Sequence, residues 1–301
     1  MAEQSIKETL IYKKELLLKS AADDALDERE FLFNKTTYDA NGRVISEITF
    51  DPEGEMIQQV VFRYNENGYL VEEKSQDADG FDVEHKTFEV TDKGKIAKEY
   101  KHYMDGTADT IHYTYNEKDE LIKKQIVDPD GDTEIVEEFS YTNGMVSHHV
   151  VKDGEGELLS EKKIRYNEKG NPLSIEEYDG SDGATSRKEI EYYPSGNKKH
   201  ALTYNEDNQL IERILMKEDD KGRLVQVMEE TALKKNTVNF TLNDDGNIVA
   251  QEEFDRNGEL VSRVQRVYDD GKRLLASDVF IHGGGRGLSR NYTLRQEYVF
   301  W

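Results

Sequence analysis

The stretch "RYNENGYLVEEK", residues 63–74, decides the fold because it recurs along the chain. It returns as "TYDANGRVISEI" at 37–48, "TYNEKDELIKKQ" at 114–125, "RYNEKGNPLSIEE" at 165–177 and "TYNEDNQLIERI" at 203–214. Aligned on their tyrosines, the copies give a period of about 25 residues, the mark of a repeat array. Each has an aromatic, an Asx, two further residues and then a glycine, or Asp119 or Asn208 in its place. An Asx caps a turn with its side chain, and glycine at the fourth place takes positive φ without strain. The same grammar appears midway through the repeats in "DPEG" (51–54), "DPDG" (128–131) and "DRNG" (255–258). Each repeat therefore holds two turns of the type I plus bulge kind that joins antiparallel strands.

Between the turns lie runs of strand length with alternating character. In "RVISEITF" (43–50), Val44, Ile48 and Phe50 fall on one face; in "EMIQQVVFRY" (55–64), Met56, Val60, Phe62 and Tyr64 fall together. Tight turns leave no room for parallel crossovers. The expected fold is all-β: an extended antiparallel up-and-down meander of about twenty strands. It is expected as a single curled or spiralled sheet with one apolar, aromatic face and one Glu/Lys face.

Three segments are expected: an N-terminal cap and degenerate first repeat over 1–37, the hairpin array over 38–291, and a C-terminal capping strand over 292–301. "SIKETLIYKKELLLKSAADDAL" reads first as strands of a degenerate repeat, with a capping helix as the alternative because Ile6, Leu10 and Leu17 fall at helical spacing. An open meander also leaves an edge strand at each end, able to add a partner's strand.

The chain has 301 residues, 36% hydrophobic and 34% charged, with 17 Tyr, 11 Phe and no Cys. A mean hydropathy of −0.84 suits a thin structure with much exposed surface. Without cysteine there is neither a disulfide nor a thiolate metal site. A net charge of −23 argues against binding a nucleic-acid backbone and favours a basic protein partner. The N-terminus lacks the apolar run of a signal peptide, and no segment has the roughly 18 apolar residues of a helical membrane span. These readings lead to an expected cytoplasmic protein with no membrane contact.

The stretches "TYDANGRV", "RYNENGYL", "RYNEKGNPL" and "VYDDGKRLL" resemble the tyrosine-aspartate (YD) repeats of rearrangement-hotspot and related cell-surface and toxin proteins, with MORN-like hairpin arrays as a second resemblance. What the YD resemblance implies is a set of hairpins spiralling into a shell that acts as a non-catalytic envelope or adhesion surface.

The search for chemistry yields little beyond the repeat. "SQDADGFDVEHK" (75–86) and "VDPDGDTE" (127–134) look like half of a calcium loop, yet aligning their glycines to the sixth position leaves no matching first and twelfth ligands. They read as acidic turns. "HGGGRG" (282–287) has no nucleophile elbow or phosphate-loop lysine to serve, and reads as an enlarged hairpin loop. His102 and His112 flank one turn and are candidates to meet across it, but no third ligand accompanies them. His148 and His149 are adjacent in a strand and belong to opposite faces.

No catalytic residue, metal site or cofactor is expected, since repetition spreads equivalent groups over many turns whereas catalysis needs one irregular constellation. The candidate binding residues are the recurring tyrosines Tyr64, Tyr100, Tyr113, Tyr115, Tyr166, Tyr192 and Tyr204. The leading functional expectation is a non-enzymatic scaffold binding another protein, basic or extended, through an acidic β-surface. The alternative is a carbohydrate-binding or adhesion module in which the aromatic ladder stacks sugars.

Overall fold

The computed structural model describes residues 5–18, 26–283 and 289–301, and every regular element in them is a strand. The strands are β1 Ile6–Leu18, β2 Leu26–Tyr38, β3 Val44–Phe50, β4 Met56–Tyr64, β5 Leu70–Asp77, β6 Asp82–Val90, β7 Ile96–His102, β8 Ala108–Tyr115, β9 Leu121–Val127, β10 Thr133–Thr142 and β11 Met145–Asp153. They continue as β12 Leu158–Tyr166, β13 Pro172–Asp179, β14 Ala184–Tyr192, β15 Lys198–Asn205, β16 Leu210–Glu218, β17 Leu224–Thr231, β18 Lys235–Leu242, β19 Ile248–Phe254, β20 Leu260–Tyr268, β21 Leu274–Ile281 and β22 Arg290–Phe300. Residues 6–18 and 26–38 are thus strands and not a capping helix.

The turns follow the local grammar atom by atom. In the turn after β3, the Asp51 N–H donates to Glu55 O at 2.9 Å and the Gly54 N–H to Asp51 O at 3.1 Å. Asp51 Oδ1 accepts from the N–H groups of Glu53 and Glu55 at 2.9 and 2.8 Å. Gly54 sits at φ +88°, and where glycine is missing from this place Asp119 and Asn208 take the same left-handed conformation. The calcium-like "DADG" and "DPDG" are the same device: Asp77 Oδ1 caps Asp79 and Phe81, and Asp128 Oδ1 caps Asp130 and Asp132. A register shift accompanies nearly every such turn, as at Thr49/Phe50 and Arg165/Tyr166.

The strands form one 22-stranded sheet in which the registered pairs are antiparallel and join sequence neighbours, with one exception. That exception corrects the expected open, curled or spiralled ribbon. β1 pairs with β2 on one side and with β22 on the other, from Ile6↔Phe300 to Glu15↔Tyr292. By connectivity the sheet is therefore a closed 22-stranded β-barrel. β22, which holds most of residues 292–301, is one half of the closing pair, and neither β1 nor β22 offers the free edge for strand addition that an open meander would leave. Closure satisfies N–H and C=O groups that an open sheet leaves unpaired along two edges.

The chain divides into two compact units. Unit 1 comprises Met1–Arg63, Glu72–Glu84 and Asn236–Trp301, and holds the closing β1–β22 pair. Unit 2 comprises Tyr64–Val71 and His85–Lys235, with the continuous run β7 to β17. Few side chains are buried among the described residues of either: the hydrophobic ones are Ile190 and Ala201 of unit 2, with relative exposures of 7% and 5%.

The expected division into one aromatic and one charged face does not hold. In unit 1, Ile48 lies opposite Gln59 and Val60 opposite Glu47, so these members of the apolar sets of β3 and β4 lie on opposite faces, although Phe50 meets Met56 beyond the register shift. In unit 2, every strand from β9 to β17 has charged residues or histidine on both faces, because adjacent positions carry them: Lys123 and Lys124, Glu137 and Glu138, His148 and His149, Lys162 and Lys163, Glu176 and Glu177. Cross-strand pairing of opposite charges makes this tolerable on either side of a sheet.

Candidate functional site

The repeated tyrosine is a structural lock. Tyr115, at the end of β8, donates its hydroxyl to the carbonyl of Ile96, the first residue of β7, at 2.9 Å. The arrangement recurs from Tyr141 to Leu121 at 2.7 Å, Tyr166 to Val146 at 2.6 Å, Tyr192 to Pro172 at 2.8 Å, Tyr268 to Ile248 at 3.1 Å and Tyr298 to Leu274 at 2.9 Å. In each case a tyrosine at or near the strand end reaches the start of the preceding strand, and after Tyr115, Tyr166 and Tyr268 the next residue is the Asx that opens the following turn. Burial pushes the hydroxyl pKa of Tyr115, Tyr141, Tyr192 and Tyr298 up, as expected for phenols held against the sheet.

The remaining candidates scatter. Tyr113 donates to Glu99 at 2.8 Å, and burial together with that carboxylate raises its pKa strongly. Tyr100 donates to Glu89 from the opposite face, and Tyr204 lies under the Arg187 guanidinium at 4.9 Å. Tyr64 ends β4. No single ladder unites these seven residues, and the hydroxyls of Tyr115, Tyr166 and Tyr192 are committed to main-chain carbonyls.

The tyrosine face of unit 2 alternates apolar rows with ionic ones. Ile111, Ile126 and Ile135 stand side by side, as do Ile190, Ala201 and Ile214. Beside the first row, Lys124 Nζ meets Glu137 at 2.8 Å and His149 Nε2 meets the same carboxylate at 3.1 Å, with the imidazole stacked on Phe139 at 4.5 Å. Burial alone would raise the Glu137 pKa, but the bonds from Lys124 and His149 outweigh it and hold the carboxyl below its usual value. His148 faces the other way, to Glu161 at 2.7 Å. His102 does not meet His112. The register places it opposite His85, ring to ring at 4.6 Å, and puts His112 opposite Lys98. Among the described residues no group of three or more His, Asp or Glu could hold a metal ion. Most of "HGGGRG" lies outside the described residues.

What sequence reading missed is a difference between the two ends of the strands in unit 2. Alternating strands put the turns and adjoining residues at 103–109, 128–134, 153–157, 179–184 and 205–209 at one end, followed there by the turn at 231–235. The first five stretches hold 13 Asp and Glu and no Lys, Arg or His, whereas the sixth carries Lys234 and Lys235 and no acid. Among the described residues none of the 13 is in an ion pair; Asp128 and Asp153 cap backbone N–H groups, and Asp109 accepts from Tyr103, whose pKa it pushes up to about 12. At the other end, the turns at 91–95, 116–120, 143–145, 167–171, 193–197 and 219–223 hold seven acids against six bases. Several of these neutralise each other, as in Lys93–Asp119 at 2.6 Å and Arg223–Asp219 at 2.7 Å. The alternation was readable in the turn sequences, but only strand direction shows which turns share an end.

No family model matches the chain, and no curated protein does. Among solved structures, it is similar to the TcdB2-TccC3 toxin chain, with 12% identity and a TM-score of 0.25 over 88% of this chain. The match spans a fifth, 20%, of that longer chain. Porin-like proteins are also similar: one from Bacteroides uniformis has 14% identity and a TM-score of 0.33, and one from Bacteroides vulgatus 9% and 0.25, each matched over 99% of both chains.

The closed barrel removes the ground of the cytoplasmic expectation, and of the expectation of no membrane contact. Both rested on the lack of an apolar helical span. No helix here is long and apolar enough to cross a membrane, but this says nothing of a closed β-sheet, which crosses with strands.

Proposed function

We propose that the protein is a non-catalytic repeat scaffold that binds a basic, extended segment of another protein along the acidic strand ends of unit 2. The supporting observation is the row of five turns with 13 carboxylates, none ion-paired among the described residues, and no cation. Successive turns at one end are two strands apart, roughly 10 Å. An extended peptide in the polyproline II conformation rises about 3.1 Å per residue and returns to the same side every third residue, so a Lys or Arg at every third position meets one turn after another. At such spacing the attraction is screened over a Debye length of about 10 Å at 0.1 M salt. The repeated geometry argues against a single reaction centre, in keeping with a binding role.

The test is fluorescence anisotropy with a labelled extended peptide carrying Lys at every third residue, against wild type and the quadruple variant Asp130→Asn, Glu155→Gln, Glu157→Gln, Asp207→Asn. These four side chains cap no backbone group. Saturable binding that weakens steeply with salt and with the substitutions is the expected result. Binding that is unchanged in the variant, or indifferent to salt, sinks the proposal.

A further inference from the structure

On the face of unit 1 that carries Lys14, Asp278 and Arg263, beside the closing pair, the sheet forms a cavity of about 270 Å³. It is small against the roughly 300–1,000 Å³ of typical ligand clefts, which sets the size of its occupant at about one sugar ring. Two cross-strand rows make its floor. One runs Gln265, Asp278, Thr293, Lys14 and the other Arg263, Phe280, Asn291, over β20, β21, β22 and β1.

The commitments of these side chains differ. Lys14 is neutralised by Glu28 at 2.6 Å. Asp278 accepts one hydrogen bond, from Thr293 Oγ1 at 2.6 Å, which leaves carboxylate lone pairs open. Arg263 has no ion pair among the described residues, although Glu252 is its register neighbour. The cavity therefore offers an uncommitted guanidinium, a half-committed carboxylate, two primary amides in Gln265 and Asn291, and a phenyl ring.

We propose that this cavity binds a neutral pyranose. Glu28 and Asp278 balance Lys14 and Arg263 in charge, so neither kind of simple ion is favoured: an anion meets the open carboxylate of Asp278, and a cation meets the unpaired Arg263. A sugar hydroxyl both donates and accepts. It takes hydrogen bonds from Arg263, gives them to Asp278 and exchanges both kinds with the two amides. Phe280 supplies the apolar surface on which the C–H face of a ring rests. This site is separate from the acidic strand ends of unit 2, so either proposal can fail without the other.

The experiment is saturation-transfer NMR on the full chain with the methyl pyranosides of glucose, galactose and mannose as probes, and acetate and methylamine as charged controls. At least one pyranoside is expected to give saturable transfer. Asp278→Asn, nearly isosteric, and Arg263→Lys, which keeps the charge but loses the fork, are each expected to weaken it about tenfold, as for a hydrogen bond to a charged group. Glu297→Gln, outside the cavity, is expected to leave it unchanged. The proposal is overturned if no pyranoside gives saturable transfer, if acetate or methylamine binds more tightly than all three, or if both cavity variants bind as wild type does.

Discussion

Replacing Tyr115, Tyr141, Tyr166 and Tyr192 together by Phe separates a structural role from a binding one. Each substitution keeps the ring and removes one hydroxyl that donates to a main-chain carbonyl, at 2.9, 2.7, 2.6 and 2.8 Å respectively. A net intramolecular hydrogen bond of this kind contributes about 1 kcal/mol. The four tyrosines come from successive hairpins, roughly 10 Å apart, far enough for their effects to add. The quadruple variant should therefore lose about 4 kcal/mol, a large share of the roughly 5–15 kcal/mol by which folded domains are stable. Equilibrium urea unfolding, followed by circular dichroism and by tyrosine fluorescence, measures it. Tyr100→Phe, whose hydroxyl sits on an exposed Glu89, is the control and should change stability by about 0.5 kcal/mol or less. If the quadruple variant unfolds within about 0.5 kcal/mol of wild type, the lock is refuted and the tyrosines are free to serve a ligand.

Three further outcomes test the fold and its electrostatics. Gly131→Ala should destabilise by about 1–2 kcal/mol through its φ of +94° alone, since no atom crowds a Cβ there, and Gly131→Asn should cost less; equal losses would remove the turn from the argument. Glu137 has a depressed pKa, so its contribution is complete above the unfolded value of 4.5 and disappears as pH falls through the lower folded value. Glu137→Gln should accordingly flatten the acid limb of a stability–pH profile, and an unaltered limb would contradict the pairing with Lys124 and His149. Hydrogen exchange reports the closure: with β1 between β2 and β22, the amides of Leu10 to Glu15 should all be protected, whereas alternate prompt exchange along β1 would indicate an open edge.

The turns were legible in the sequence because they are local. Asp51, Asp128 and Asn167 act on N–H groups two and four residues away, and Gly54 or Asn208 needs only its own backbone to be in the left-handed region. That chemistry fixes hairpins, strand count and antiparallel order before any packing is considered. Residues such as Tyr166 showed their importance by recurrence, but not their purpose, because Val146 O is 20 residues away and enters reach only when the strands pair.

Tertiary structure decided three matters. Register, set by the shift at turns such as Thr49/Phe50, put Val60 opposite Glu47, so an alternation counted along one strand misassigned the faces of the sheet. Strand direction gathered the acidic turns of unit 2 at one end. Closure paired Glu8 with Val299 across nearly the whole length of the chain. Periodicity reports how each strand meets the next; whether the first also meets the last depends on twist and stagger summed over 22 strands, a quantity no local motif contains.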